Sequence, residues 1–240
     1  MISKTAPARK NHSGGSPAKA GEAGLAMPKL QRSTLNEEVY LQLKQALMTG
    51  RIAPGSTMTI RSLAASFGIS VMPVREALRR LVAEHVLVLL PNRSVSLPII
   101  TRERFREITR IRTSLEGLAA EEATPLVSAE DIRQMAAIND EMEQPNTTKH
   151  PEYLVMNREF HFRLYQSARL PTLVKIIESL WLQIGPLLTI QQGVYESEGK
   201  LVQTQHRRLL QALKKRDAAG ARAAIVSDIE DAAKIIAANL

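Results

Sequence analysis

The chain has 240 residues, 44% of them apolar and only 4% aromatic, and no cysteine. Its length exceeds the ~100–200 residues of one domain and predicts two, while the missing thiols exclude a disulfide framework, a thiolate zinc site and a cysteine nucleophile and fit a reducing cytoplasm. The net charge of +8 arises entirely before residue 99: residues 1–33 carry six Lys/Arg against one Glu, residues 34–98 seven against four, and residues 99–240 nineteen of each sign. A basic part joined to a neutral part suggests a polyanion-binding region beside a region with another task; a basic solubilising tail gives the same imbalance.

Residues 1–33 are rich in Ala, Gly, Pro, Ser and Lys and poor in large apolar residues. They bury too little surface to offset the entropy of ordering, so a disordered basic tail is expected. From Thr34 the spacing of Leu35, Val39, Leu43 and Leu47 predicts a helix through Met48, closed by Gly50 and followed by an Ile52-Ala53-Pro54-Gly55 turn. A short helix is expected from Thr59 to Phe67, broken by Gly68. Ser70 is the expected N-cap of the next, which runs to about Glu84. Pro73 is tolerated there because first-turn amides lack intrahelical partners. Val86–Leu90, a Pro91-Asn92 turn and Val95–Leu97 read as a two-stranded hairpin ended by Pro98.

From Thr101 the period is helical to the end, with helices expected near 101–124, 128–143, 151–169, 171–190, 197–215 and 218–238. Short joints predict an antiparallel bundle. The longest uncharged stretch, Ser179–Tyr195, contains Gln, Gly and Pro and makes a poor membrane span. The basic N-terminus lacks the apolar core of a secretory signal. A cytoplasmic chain without membrane contact is therefore expected. The predicted fold is mainly α: residues 34–98 form a winged helix-turn-helix of three helices plus a hairpin, and residues 99–240 an all-helical bundle.

The two helices flanking Phe67-Gly68-Ile69-Ser70 have helix-turn-helix dimensions. In the second, Val74, Ala77, Leu78, Leu81 and Val82 make the apolar face. Arg75 and Arg79 stand four apart on the other side, available to a phosphate or a guanine edge. The hairpin would be a wing with Arg93 at its tip. An ordinary helix pair with exposed arginines has the same spacing. The runs Gly50-Arg51-Ile52-Ala53-Pro54-Gly55, Arg61-Ser62-Leu63-Ala64 and Gly68-Ile69-Ser70-Val71-Met72-Pro73-Val74-Arg75-Glu76-Ala77-Leu78-Arg79-Arg80-Leu81 resemble the winged-helix domain of GntR-family transcriptional regulators. The resemblance spans about Thr34 to Pro98. It implies operator contacts from Arg61, Ser70, Val71, Met72 and Arg75, with Arg93 and Ser94 at the wing tip. Val71 stands where many members carry Arg, which removes a charged base contact. Ser94 stands where the wing often has Gly, which limits close backbone approach to the minor groove.

Polar residues interrupt the apolar faces of the C-terminal helices. Asn157 and His161 share a face with Leu154, Leu164 and Ala168; His206 lies on the stripe of Leu209, Leu210 and Leu213; Asp228 lies beside Ile225, Ile229, Ala232 and Ile236. An unpaired polar group in an apolar interior costs several kcal/mol, so four such groups on three helices are cheapest where they converge. Two imidazoles, a carboxylate and an amide oxygen can hold a divalent metal; a metal-free network of His–Asp and His–Asn hydrogen bonds is the alternative. Arg112, on the stripe of Ile108, Ile111, Leu115 and Ala119, needs an anion. Glu116 one turn on can supply it, as can the carboxylate of a small organic acid. His12, His85 and His150 read as solvated.

Arg112-x-x-Leu115-Glu116, Asn157-x-x-Phe160-His161-x-x-Leu164 and His206-x-x-Leu209-Leu210-x-Ala212-Leu213 resemble the helical ligand-binding (FCD) domain of the FadR branch of that family. The resemblance implies a metal held by an acidic residue or Asn and three His. Asn157, His161 and His206 match, and Asp228 stands where the third His is expected. Such a set suits zinc, nickel, manganese or iron. It also implies an organic acid bound beside the metal, with Arg112 as its clamp. The expected function is a ligand-responsive repressor that binds a palindromic DNA operator as a homodimer. An architectural nucleic-acid binder without effector is the alternative. A metal-dependent enzyme would use the same ligands, but has no need of a basic winged helix and lacks an unassigned His as general base.

Overall fold

The computed structural model describes residues 34–92, 94–144, 147, 152–198 and 202–240. The tail expected at residues 1–33 and the wing-tip Arg93 lie outside them. Helix α1 (Thr34–Met48) buries Val39, Leu43 and Leu47 along one face. Helix α2 (Ile60–Phe67) starts with a capping box, in which the Thr59 hydroxyl accepts from the Ser62 amide while Ser62 Oγ accepts from the Thr59 amide. Gly68, at φ +66°, ends α2 in the left-handed region that a side chain disfavours, and this permits the tight turn into α3 (Val71–Ala83). Helix α3 buries Pro73, Val74, Ala77, Leu78 and Leu81 against α1 and α2.

The expected two-stranded hairpin is one part of a three-stranded antiparallel sheet ordered β1-β3-β2. Strand β3 (Val95–Ser96) pairs with β2 (Val88–Leu89) in the register Val88 to Ser96, and with β1 (Thr57–Met58) in the register Thr57 to Ser96. The extra strand comes from the segment after the Pro54-Gly55 turn. Two residues are too few to show a period of two, so composition alone did not reveal it.

Six helices follow: α4 (Arg102–Ala123), α5 (Ala129–Met142), α6 (Tyr153–Ser167), α7 (Pro171–Glu198), α8 (Val202–Lys215) and α9 (Ala218–Ala238). Helix α9 packs along α4 and α8, α5 packs on α6 and α8, and α7 touches α1, α4, α6 and α9. The core is mostly aliphatic, and of its buried aromatic residues Phe160, Tyr165 and Trp181 are the most completely enclosed. Helix α7 departs from expectation: it continues past residue 190 through the internal Pro186 to Glu198, and α8 starts only at Val202. Leu187 and Leu188 are buried on the far side of the proline, so packing holds the helix together across the lost amide. By length and composition Pro171–Ile190 would suffice to cross a bilayer. Half of that stretch is buried in the protein, and its Glu178 pairs with Lys44 of α1 at 2.6 Å, the pattern of a core helix.

The α1–α7 joint is close. A Cβ on Gly185 would stand 2.6 Å from the Met48 Cα and 2.7 Å from the Leu47 carbonyl, so only glycine lets the two backbones meet. Arg158 of α6 adds to the same joint: its Nε donates to Met48 Sδ at 2.9 Å, and its guanidinium lies 4.7 Å from the centre of the Phe162 ring.

Candidate functional site

Two groups of polar residues stand out, one exposed and one buried. The exposed group follows from the amphipathic pattern of α3. With Val74, Ala77, Leu78 and Leu81 turned inward, Val71, Met72, Arg75 and Arg79 are turned to solvent. Arg61 on α2 is exposed as well, and Arg61 and Arg75 have no ion-pair partner among the described residues. Arg79 makes only a long 3.4 Å contact to Glu76. Ser70 takes the extended N-cap conformation, but its hydroxyl caps nothing, which leaves it exposed and unengaged at the start of the helix.

Arg80 has another role. It pairs with Glu37 at 2.9 Å and with Glu84 at 3.2 Å, and lies 3.6 Å from the Tyr40 ring centre. The Tyr40 hydroxyl donates to Glu84 at 2.8 Å, and burial beside that carboxylate raises its pKa. Arg80 therefore ties α3 to α1. Ser94 corrects an expectation: it is buried, and its hydroxyl donates to Asn92 Oδ1 at 2.5 Å. Asn92 also accepts from the Ser94 amide at 3.1 Å, so this pair closes the turn, and Asn92 is the exposed member.

The buried group begins with Arg112. Its Nε donates to Glu116 Oε1 at 2.6 Å, and Glu116 is fully buried. Glu116 Oε2 accepts from the Tyr165 hydroxyl at 2.6 Å and from Trp181 Nε1 at 3.0 Å. Arg112 also lies 5.1 Å from the Trp181 ring centre. The charge is thus balanced inside the chain by a side chain one turn along the same helix. Of the two partners considered for Arg112, Glu116 reaches it within the chain, through Nε at 2.6 Å and Nη2 at 3.4 Å.

His161, His206 and Asp228 converge from α6, α8 and α9, with one potential ligand atom from each within 4.8 Å of the others. His161 Nε2 stands 3.3 Å from His206 Nε2 and 3.4 Å from Asp228 Oδ2, and His206 Nε2 stands 3.7 Å from Asp228 Oδ1. Phe160 stacks on the His206 ring with centroids 4.1 Å apart. Asn157, one turn before His161, is half-buried and makes no hydrogen bond to the three. The structure thus brings three of the four expected ligands into mutual contact.

Burial depresses both imidazoles: His161 falls well below its ordinary pKa, helped by His206 and Arg112, and His206 falls to about 4. Burial also raises the Asp228 carboxyl to about 7. Both rings are therefore neutral near pH 7, with lone pairs to offer. The tautomer of His161 is fixed from behind. Tyr165 spends its proton on Glu116, so its oxygen accepts Nδ1–H of His161 at 3.3 Å, and the Nε2 lone pair faces His206 and Asp228.

These donors fit a divalent ion. Ligand atoms ~2.0–2.1 Å from a tetrahedral centre stand about 3.3–3.4 Å apart; two spacings here, 3.3 and 3.4 Å, match and the third, 3.7 Å from His206 to the other Asp228 oxygen, is wider and would have to tighten around an ion. Tyr165 and Trp181 were missed as parts of this interior. Tyr165 carries a signal, four residues beyond His161 on one face, whereas Trp181 is joined to Glu116 only by tertiary packing.

A profile of the FCD domain matches residues 107–231, and one described as "Bacterial regulatory proteins, gntR family" matches residues 35–97. The chain is 30% identical over 196 residues to the HTH-type transcriptional regulator McbR of Escherichia coli K12, covering 81% of this chain and 89% of that protein. It is 21% identical over 198 residues to the HTH-type transcriptional repressor RspR of the same organism, covering 82% and 86%. The solved structure of E. coli McbR/YncC superimposes with a TM-score of 0.81 at 28% identity, covering 87% of this chain and 99% of that one. These relatives are regulators of transcription rather than enzymes.

Proposed function

The chain belongs to the gntR family of bacterial regulatory proteins and carries an FCD domain, and on that premise we propose that it represses transcription from a palindromic operator, as a cytoplasmic homodimer whose grip on DNA is set by a small organic acid bound in the helical domain. The observation that carries the reading is the outward face of α3. Met72, Arg75 and Arg79 are exposed while the opposite face is packed, so the helix can enter a major groove without unfolding anything. Arg61 and Ser70 flank it, and Val71 offers a methyl contact where a charged one would be stronger. Arg93 is assigned to the wing tip. Two copies joined through the helical domain would present two such faces to two half-sites. The name of RspR, a repressor, supports the sign of regulation.

His161, His206 and Asp228 are the residues that would hold a divalent metal, zinc, nickel, manganese or iron, with Asn157, one turn before His161, as the fourth candidate. Such an ion supplies the positive charge that a carboxylate effector needs, because the Arg112 guanidinium is already paired with Glu116. Effector binding then shifts operator affinity only by its differential affinity for the two arrangements of the chain.

The reading is tested by gel shift on operator DNA. Replacing Arg75 with Ala weakens binding by about 5- to 150-fold, the worth of one bidentate base contact of ~1–3 kcal/mol. Replacing His161 with Ala leaves operator affinity intact and dulls the response to added metal and acid. An Arg75 variant that binds as the wild type does would defeat the assignment of α3. A wild-type chain indifferent to every metal and acid would favour an architectural DNA binder.

A further inference from the structure

Two fully buried polar atoms on neighbouring helices lack hydrogen-bond partners among the described residues: Asn139 Oδ1 on α5 and His206 Nδ1 on α8. Asn139 is 1% exposed and His206 is 1% exposed, so neither atom is served by bulk water. Leaving such groups unpaired costs ~1–3 kcal/mol each, so two orphans on helices that pack on one another call for something that bridges them; Arg163 Nε, a further orphan, lies on α6.

The orientation of each atom is fixed. Asn139 Nδ2 donates to Glu143 Oε1 at 2.7 Å. A flipped amide would set its oxygen against that carboxylate, so Oδ1 is the free acceptor. Glu143 is itself held by Arg207, whose Nε donates to the same oxygen at 2.7 Å. The carboxylate that orients Asn139 is thereby anchored to the residue next to His206. Helices α5 and α8 pack directly. The Nε2 edge of the His206 ring faces His161 on α6 and Asp228 on α9. The Nδ1 edge is the other edge of the ring, and Glu143, the C-cap of α5, lies near enough for its charge to act on His206.

We propose that Asn139 positions His206, its Oδ1 accepting the Nδ1–H either directly after a small ring rotation or across one buried water, so that the Nε2 lone pair of His206 is turned onto the His161–Asp228 cluster. This rests on the metal reading of that cluster given above. Its logic is proton placement. Tyr165 already fixes the proton of His161 on Nδ1. Without a metal, the 3.3 Å approach of the two Nε2 atoms needs one proton between them, and His206 supplies it from Nε2. Once that proton sits on Nδ1, two lone pairs face each other; a protonated Asp228 carboxyl can serve one of them, whereas a cation serves both. An acceptor behind His206 makes that arrangement accessible, as the outer partners of metal-bound histidines do. Asn139 is a positioning residue and need not touch the ion.

The test uses the full chain, zinc, and histidine ¹⁵N NMR. Zinc-loaded wild type is expected to carry His206 as Nδ1–H with Nε2 ligated. Asn139→Leu removes the acceptor and should weaken zinc binding by about 10- to 100-fold, while the melting temperature of the metal-free chain changes little, the lost bond to Glu143 being offset by removal of an unpaired buried oxygen. Asn139→Asp combined with Glu143→Gln restores an acceptor oriented by a donor, and should recover most of the affinity. A merely structural role would lower metal-free stability and leave the tautomer unmoved. Wild-type affinity in Asn139→Leu, or a zinc-bound His206 protonated on Nε2, overturns the proposal while leaving the metal site standing. A wild type that takes up no zinc overturns the metal reading and this inference together.

Discussion

Two polar groups share the interior of the helical domain and end in opposite conditions. In the first, Arg112, Glu116, Tyr165 and Trp181 form a closed set, with the Glu116 carboxylate accepting from all three of the others. In the second, His161, His206 and Asp228 approach one another with nitrogen and oxygen lone pairs turned to a common point. The contrast teaches where a ligand can act. A buried charge that has its counter-charge on the same helix is largely compensated within the fold, and its removal would strand the partner. Neutral imidazoles held beside a reluctant carboxylate carry unsatisfied donor capacity, and that capacity is what a ligand uses.

The largest effect expected from this contrast is on the closed set. Removing Glu116 by Glu116→Ala strands the buried guanidinium of Arg112 and should cost about 3–5 kcal/mol. At roughly 2–4 °C per kcal/mol for a chain of this size, the melting temperature falls by about 6–20 °C, read by calorimetry. A loss below ~1 kcal/mol would show that Arg112 has another partner and would blur the comparison.

An intermediate effect should appear in the pH dependence of the metal-free chain. The depressed imidazoles refuse protons in the native state that the unfolded chain accepts, so their contribution is present above pH 6.5 and is lost as pH falls. His206 acts over the window from 6.5 to about 4, with a slope of up to ~1.4 kcal/mol per pH unit. Asp228 runs the other way: its raised carboxyl keeps a proton that the unfolded chain has released, so stability grows as pH falls from about 7 toward 3.8. Urea titrations from pH 4 to 8 should show His206→Gln losing much of the acid-side slope. An unchanged slope would mean that His206 already binds its proton in the native state.

The smallest stability effect belongs to Asp228→Asn, within about 1 kcal/mol for the metal-free chain, because the substitution keeps the shape and removes a carboxyl that burial already disfavours. The same variant should lose metal uptake measured by titration calorimetry. A stability loss approaching that of Glu116→Ala would show the cluster to be a second closed network.

Much of this was legible in the sequence, for a physical reason in each case. Helix ends at Met48, Phe67 and Met142 follow from apolar spacing and local caps, which are short-range signals. The exposed side of α3 follows from the buried one. The pairing of Arg112 with Glu116 lies within one helical turn and appears as an explicit alternative, as does the convergence of His161, His206 and Asp228. What was not legible is long-range or too short to have a period. Strand β1 is two residues long. Trp181 meets Glu116 across 65 positions. The helix expected over 171–190 already runs through Pro186, whereas its extension to Glu198 is unexpected, because no local signal marks residues 191–198 as part of the same helix. Ser94 turned inward because its neighbour Asn92 offered a nearer partner than solvent.

The glycine contact between α7 and α1 has one further consequence. With main chain resting on main chain at Gly185 and Met48, and Lys44 bolted to Glu178 two turns away, no layer of compliant side chains lies between the helix that passes Trp181 and the helix that carries Tyr40. A displacement of α7 arrives at α1 with little slack, and Tyr40, Glu84 and Arg80 hand it on to α3. At this point the helical bundle and the α1–α3 unit therefore meet without a cushion of side chains between them.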